Sequence, residues 1–357
     1  MSSSTSSSDP TSDRAAWRRF FRLAAGTAAA VAAFVYLFVA IVDPFDTLPL
    51  SPPFDRAPIA TNARYSFPAL ARSDKFDSAV FGSSTSRLLR PAMLNPEFDA
   101  RFANLAMNAA TAYEQSRMLQ VFVRAHPDAK AVMIGLDDIW CLTRTHVLYT
   151  PRPFPEWMYG ENRWAGYTEL LNLYTVEQSG IQFATLLGLK PEVYGRDGYT
   201  SFVPDDSEYD PARVAEHLRE VARAMPKDTA PVSAAGLPYP AIDLLRDDLA
   251  AIPAQTTKIV FFAPLNHVLQ PVAGRLLAEW NECKERVTSM AARTPNTVVV
   301  DFMIPSPITS NDDNYWDSAH YRVAIADRLA RDLAAAAKGK ASPDGDYRLL
   351  SPAIAAR

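Results

Sequence analysis

Two short stretches hold residues equipped for nucleophilic chemistry. In AVFGSSTSR, Gly82, Ser83 and Ser84 follow an apolar run and precede a helix-like segment. In DSAH, Asp317 and His320 stand three residues apart. Within a helical turn, that spacing puts both side chains on one face. The carboxylate can then accept from one imidazole nitrogen and leave the other as a base. This is the orienting pair that a serine nucleophile requires. The bland alternatives are a small strand-to-helix turn at Ser83 and Ser84, and a capping aspartate beside an incidental histidine.

Distant residues can meet only if the intervening elements bring them together. DSAVFGS, RFANLAM, AKAVMIGLD, TKIVFFAPLN (257–266) and NTVVVDFM (296–303) read as short, buried strands. AYEQSRMLQVFVRAH has helical periodicity and ends at Pro127. Further helices are expected at about 239–252, at about 271–293, and from Tyr321 to Ala337. Apolar strands alternating with helices predict an α/β domain with a mainly parallel sheet. Ligands of such sheets bind beyond the carboxyl ends of the strands. Ser83 and Ser84 are expected there after the first strand, and Asn104 and MNAAT (107–111) after the second. Asp137 and Asp138 follow the third strand, Asn266 and His267 the fourth, and NDDNYWDSAHYR precedes the last helix.

The chain's ends have a different character. Residues 1–17 are expected to be a disordered cytoplasmic tail, and 18–43 a transmembrane anchor. Leu23 to Val42 carries no charge, and its 20 residues at about 1.5 Å each span roughly 30 Å, a bilayer core. Arg14, Arg18, Arg19 and Arg22 precede this run, and Asp43 and Asp46 follow it. Positive-inside reasoning leaves the N-terminus cytoplasmic and exports the remainder to an extracytoplasmic, periplasmic space. A cleaved signal peptide and a buried core helix are the competing readings. Residues 44–74 read as a Pro-rich linker, 75–338 as the folded domain with an irregular insertion at about 140–238, and 339–357 as an irregular tail.

Composition excludes some functions. Apolar residues make up 48% and charged residues 21%, as in globular proteins, and a net charge of −4 offers no basic footprint for nucleic acid. Cys141 and Cys283 are too few for a disulfide framework or a zinc site; one disulfide and a pair of buried thiols both fit. No ligand cluster accompanies Asp137 and Asp138, so neither a metal nor another cofactor is expected. Arg87 could touch a polar or anionic substrate group or lie on a helix surface. His267 could bind substrate or serve structure, and Asn104 is expected to brace its loop. Trp157, Tyr159, Trp164 and Tyr167 could stack on a sugar, or simply pack.

Taken in order, VFGSSTSR, NLAMNAAT, IGLDDI and DSAH resemble the blocks of the SGNH/GDSL hydrolase superfamily over roughly residues 75–338. The resemblance implies a three-layer α/β/α sandwich. It implies Ser84 as nucleophile, with Ser83 where that family has aspartate, His320 as general base and Asp317 as its orienting partner. Ala109 falls where the family has its oxyanion glycine, and a backbone N–H survives that change. Asp137 falls where the family has asparagine; an ionised carboxylate cannot donate to an oxyanion and would repel one. With the anchor, the chain resembles exported, membrane-tethered members that act in alginate O-acetylation and D-alanyl transfer. The implied function is a serine acyl-esterase or O-acyltransferase acting on an ester or an exported glycan. A transferase implies a multi-span membrane acyl-donor partner. The alternative is a non-catalytic binding or scaffold protein of the same fold.

Overall fold

The computed structural model describes residues 10–143, 153–226 and 232–351. Six strands form one sheet: β1 (Ser78–Phe81), β2 (Phe102–Asn104), β3 (Ala131–Leu136), β4 (Thr257–Phe262), β5 (Thr297–Asp301) and β6 (Arg348–Leu349). Their order is β2-β1-β3-β4-β5-β6, parallel throughout except for β6, which runs antiparallel to β5. The helices are α1 (Pro10–Val42), α2 (Ala63–Leu70), α3 (Ser84–Arg87), α4 (Pro91–Phe98), α5 (Ala112–Ala125) and α6 (Glu156–Tyr159). They continue with α7 (Gly166–Glu169), α8 (Leu173–Leu186), α9 (Pro211–Ala224), α10 (Pro240–Ala251), α11 (Gly274–Ala291) and α12 (Val323–Ala337).

β1 to β5 are mainly apolar because both sheet faces are buried there. Val80, Met133, Ile259 and Val298 lie in register across the sheet and share a core with Leu94 of α4 and with Leu329 and Leu333 of α12. The alternate residues point the other way. Phe81 meets Phe122 of α5 edge-on at 5.8 Å, and Phe262 meets Trp280 of α11 at the same separation. The chain reverses its winding direction between β1 and β3, and the carboxyl ends on either side of that point leave a crevice.

The chain divides into two compact units: residues up to Arg56 with Asn162–Pro191, and Ala57–Glu161 with Glu192 onward. The first holds α1, which from Arg14 to Val42 is long and apolar enough to cross a membrane. The second holds the sheet.

The structure revises several boundaries. α1 starts at Pro10, inside the tail expected to be disordered; residues 1–9 lie outside the described residues. The expected linker is not a free spacer. Phe45 and Leu48 are buried within the first unit, and Ile59, Ala60 and Phe67 within the second, where Asn62 caps α2. The expected insertion contributes two regular 14-residue helices, α8 and α9. Residues 144–152 and 227–231 of it lie outside the described residues. The tail adds β6, which pairs with β5 through Val300 and Asp301; residues 352–357 lie outside the described residues.

Candidate active site

The turn after β1 is built around Gly82, whose φ is +153°. A Cβ there would lie 2.2 Å from the Ser86 Oγ, and one at Gly135 would lie 1.9 Å from the same atom. The two glycines therefore admit Ser86 between β1 and β3 and let α3 start hard against the sheet. The Ser83 hydroxyl caps α3, accepting from the Thr85 N–H at 3.5 Å. Ser84 opens the helix, where its own N–H has no intrahelical acceptor. Asn104, at the end of β2, braces the turn as expected. Its amide donates to the carbonyls of Leu89 (2.7 Å) and Arg87 (3.1 Å), and its Oδ1 accepts from the Ala106 N–H at 3.1 Å.

The second half of the site is a tight loop before α12. Tyr315 and Tyr321 pair across its base, and the Trp316 N–H donates to the His320 carbonyl at 2.8 Å. Asp317 lies inside the loop. Its Oδ1 accepts from the N–H groups of Ala319 and His320, both at 2.8 Å, and its Oδ2 receives the His320 Nδ1 at 2.7 Å. With Nδ1 protonated toward this carboxylate, Nε2 is the acceptor, and it lies 2.8 Å from the Ser84 Oγ. Burial pushes the Asp317 carboxyl up. The hydrogen bond and charge of His320 and the two backbone donors outweigh it and hold the group below the usual carboxylate range. The Tyr321 hydroxyl donates to the Thr85 carbonyl, tying the loop to α3. Phe202 supports the imidazole, its ring edge-on to His320 at 5.2 Å.

Ser84 and His320 open onto a cavity of about 490 Å³. Ala109, Asp137, Leu265, Leu269, Trp280 and Met303 are among its walls, which are mostly apolar. Ala109 has a φ of +48°, a left-handed conformation that favours glycine. Its loop is held from α2. Arg64 donates to the carbonyls of Asn108 (3.4 Å) and Ala109 (3.3 Å), and through Nε to the Glu114 Oε1 at 2.8 Å. Glu114 in turn closes a capping box with Thr111 at the start of α5. Asp137 is turned toward Ser83, whose hydroxyl donates to its Oδ2, while its Oδ1 accepts from the Ile139 N–H at 3.3 Å. Burial, with the neighbouring charge of Asp138, pushes the Asp137 carboxyl up to about 7.

Other expected site residues fall elsewhere. Arg87 is neither at the surface nor on the cavity wall. It is buried, its guanidinium 5.1 Å over the Tyr194 ring and 5.6 Å over the Phe202 ring, because α3 turns it inward. His267 is half exposed, 3.6 Å from the Asp312 carboxylate, and only its neighbours Leu265 and Leu269 line the cavity. The four aromatics divide between the two units. Tyr159 is buried and donates to the Arg64 carbonyl at 2.9 Å, and Trp157 stays with it in the sheet unit. Trp164 and Tyr167 lie together in the anchor unit, their rings 5.8 Å apart.

Cys141 and Cys283 form a disulfide, with Cα atoms 5.4 Å apart. It joins the turn after β3 to α11, and both segments line the cavity, through Cys141 and Trp280. Among the described residues, no three His, Cys, Asp or Glu side chains gather as a metal site would require. Arg64, Phe202 and Trp280 are the contributors that sequence reasoning missed. Arg64 falls in the Pro-rich stretch that reads as a linker, and nothing in the local sequence marks the other two. Compared with protein-family models and with curated proteins, the chain finds no match.

Proposed function

We propose that this chain is a membrane-anchored serine acyl-esterase or O-acyltransferase of the SGNH type, working outside the cytoplasm on an ester or exported glycan. One observation carries the reading: the Ser84 Oγ, both imidazole nitrogens of His320 and the Asp317 carboxylate form an unbroken relay at 2.8 and 2.7 Å. In this reading Ser84 attacks the acyl carbonyl carbon, and its proton passes to His320 Nε2. Asp317 stabilises the imidazolium. Backbone N–H groups of Ser84 and Ala109 serve the oxyanion, which Asp137 does not oppose while it is protonated. Collapse breaks the ester bond, and the leaving alcohol takes the proton from His320. Water or a sugar hydroxyl, deprotonated by His320, then attacks the acyl carbon; the bond to Ser84 breaks, and the Ser84 Oγ takes the proton back from His320. The apolar cavity suits an acyl chain. The disulfide and the arginines of α1 that precede its apolar run favour an exported domain. A multi-span membrane partner that supplies the acyl group belongs to the transferase form of this proposal.

The test is covalent labelling of the full-length protein with a fluorophosphonate. Labelling is expected in the wild type and in Ser83→Ala, and is expected to be lost in Ser84→Ala and His320→Ala. A folded wild type that does not label overturns the reading in favour of a binding protein. With a nitrophenyl ester as donor, faster turnover on adding a sugar acceptor distinguishes transfer from hydrolysis.

A further inference from the structure

α8 is built inside out. Its buried residues are Thr175, Gln178, Ser179 and Gln182, a polar stripe at i, i+3, i+4 and i+7. The Ser179 hydroxyl is satisfied within the helix, donating to the Thr175 carbonyl at 2.7 Å. The outward side carries Leu173, 90% exposed, with Phe183 and Leu187. Leu171 and Leu189 extend the exposed apolar surface past either end. Glu177 is the single charged residue of the helix. In water, a surface helix is arranged the opposite way.

α8 runs antiparallel to the end of α1. Tyr174 stacks on Phe45 at 6.1 Å, and Phe183 meets Phe38 at 5.6 Å. Between them lies a groove of about 900 Å³, lined by Phe34, Leu37 and Ile41 of α1 together with Phe183, Leu186 and Leu187. Phe34, Leu37 and Ile41 are more than half exposed and belong to the segment long and apolar enough to span a bilayer. Lipid that covers Leu37 and Ile41 therefore also covers Leu186 and Leu187, which share their groove.

We infer that α8 is itself embedded in the leaflet at the C-terminal end of α1, its outward face against phospholipid acyl chains. The inversion then has a physical cause: in lipid, apolar side chains face out and polar ones turn away from the acyl chains. The anchor would then be an antiparallel pair of helices, α8 sunk deepest at Leu187. This rests on the reading of α1 as a membrane anchor, and the test separates the two.

Spin labels are placed on Val31→Cys, Leu173→Cys and Leu187→Cys in the full-length protein, in vesicles of phosphatidylethanolamine and phosphatidylglycerol. Cys141 and Cys283 are disulfide-bonded and do not react. Collisions with oxygen and with a water-soluble nickel chelate report depth. The expected result is oxygen access without nickel access at positions 31 and 187, and an intermediate depth at 173. Nickel access at 187 with lipid contact retained at 31 overturns the inference about α8 alone. Nickel access at both overturns the anchor reading with it. An immobile label at 187, shielded from both reagents, overturns the inference in favour of a protein covering this face.

Discussion

Arg64 and Glu114 face one another fork to fork in a site closed to water, their side chains 4% and 0% exposed. The same guanidinium holds the carbonyls of Asn108 and Ala109, so the pair governs the loop that lines the cavity beside Ser84. Arg64→Met leaves the buried Glu114 carboxylate without its countercharge, and is expected to cost about 3–5 kcal/mol. Arg64→Met with Glu114→Leu is expected to regain stability, because no unpaired charge remains. It is not expected to regain fluorophosphonate reactivity, because the Arg64 donors to the two carbonyls are still missing. Thermal unfolding and labelling rates read the two effects separately. A double variant that labels at the wild-type rate would show that the loop positions itself.

Ala109 holds a conformation that suits glycine. Ala109→Gly is expected to stabilise the fold by about 0.5–1 kcal/mol, the relieved strain exceeding the entropy that glycine loses on folding. Ala109→Val, β-branched at a positive φ, is expected to destabilise it by about 1–3 kcal/mol. Urea unfolding midpoints measure both changes. Equal midpoints for alanine and glycine would mean the loop carries no strain.

Asp137 makes stability depend on pH. Its folded-state value of about 7 lies above that of an unfolded aspartate, about 3.9, so the folded protein binds the proton more tightly. The contribution is complete below about pH 4 and is lost as pH rises through about 7. Asp137→Asn cannot titrate. Its stability relative to wild type is expected to grow between about pH 5 and about pH 8, and its relative labelling rate likewise, since the ionised carboxylate opposes an oxyanion. Denaturant titrations and labelling at a series of pH values check this; a constant difference would place the titration elsewhere.

The disulfide closes a span of 142 residues, for which loss of chain entropy in the unfolded state gives at most ~5 kcal/mol. Reduction, or Cys141→Ser with Cys283→Ser, is expected to lower the melting temperature and to loosen the cavity wall at Trp280. Tryptophan fluorescence in the presence and absence of a phosphine reductant reports both. An unchanged melting temperature after complete reduction would count against this account.

What was legible in the sequence follows from its physics. Strands buried on both faces read as continuous apolar runs, so β1 to β5 stood out. Asp317 and His320 act across three residues, and Ser84 follows directly from a strand and a glycine, so local pattern pointed to all three. Arg64 was hidden because its partner lies 50 residues away and its surroundings are rich in proline. Arg87 misled because a four-residue helix gives no periodicity from which to read an inward face. β6 is two residues long, too short for a pattern, and depends on pairing with β5.

The relay between Ser84 and His320 joins residues 236 positions apart. A ribosome adding roughly 5–20 residues per second makes the serine roughly 10–50 s before the histidine. Through that interval Ser84 is an ordinary alcohol with no base to activate it. On the proposed reading its reactivity arises only when the last loop folds back onto the first strand, so a truncated or half-made chain carries a harmless hydroxyl.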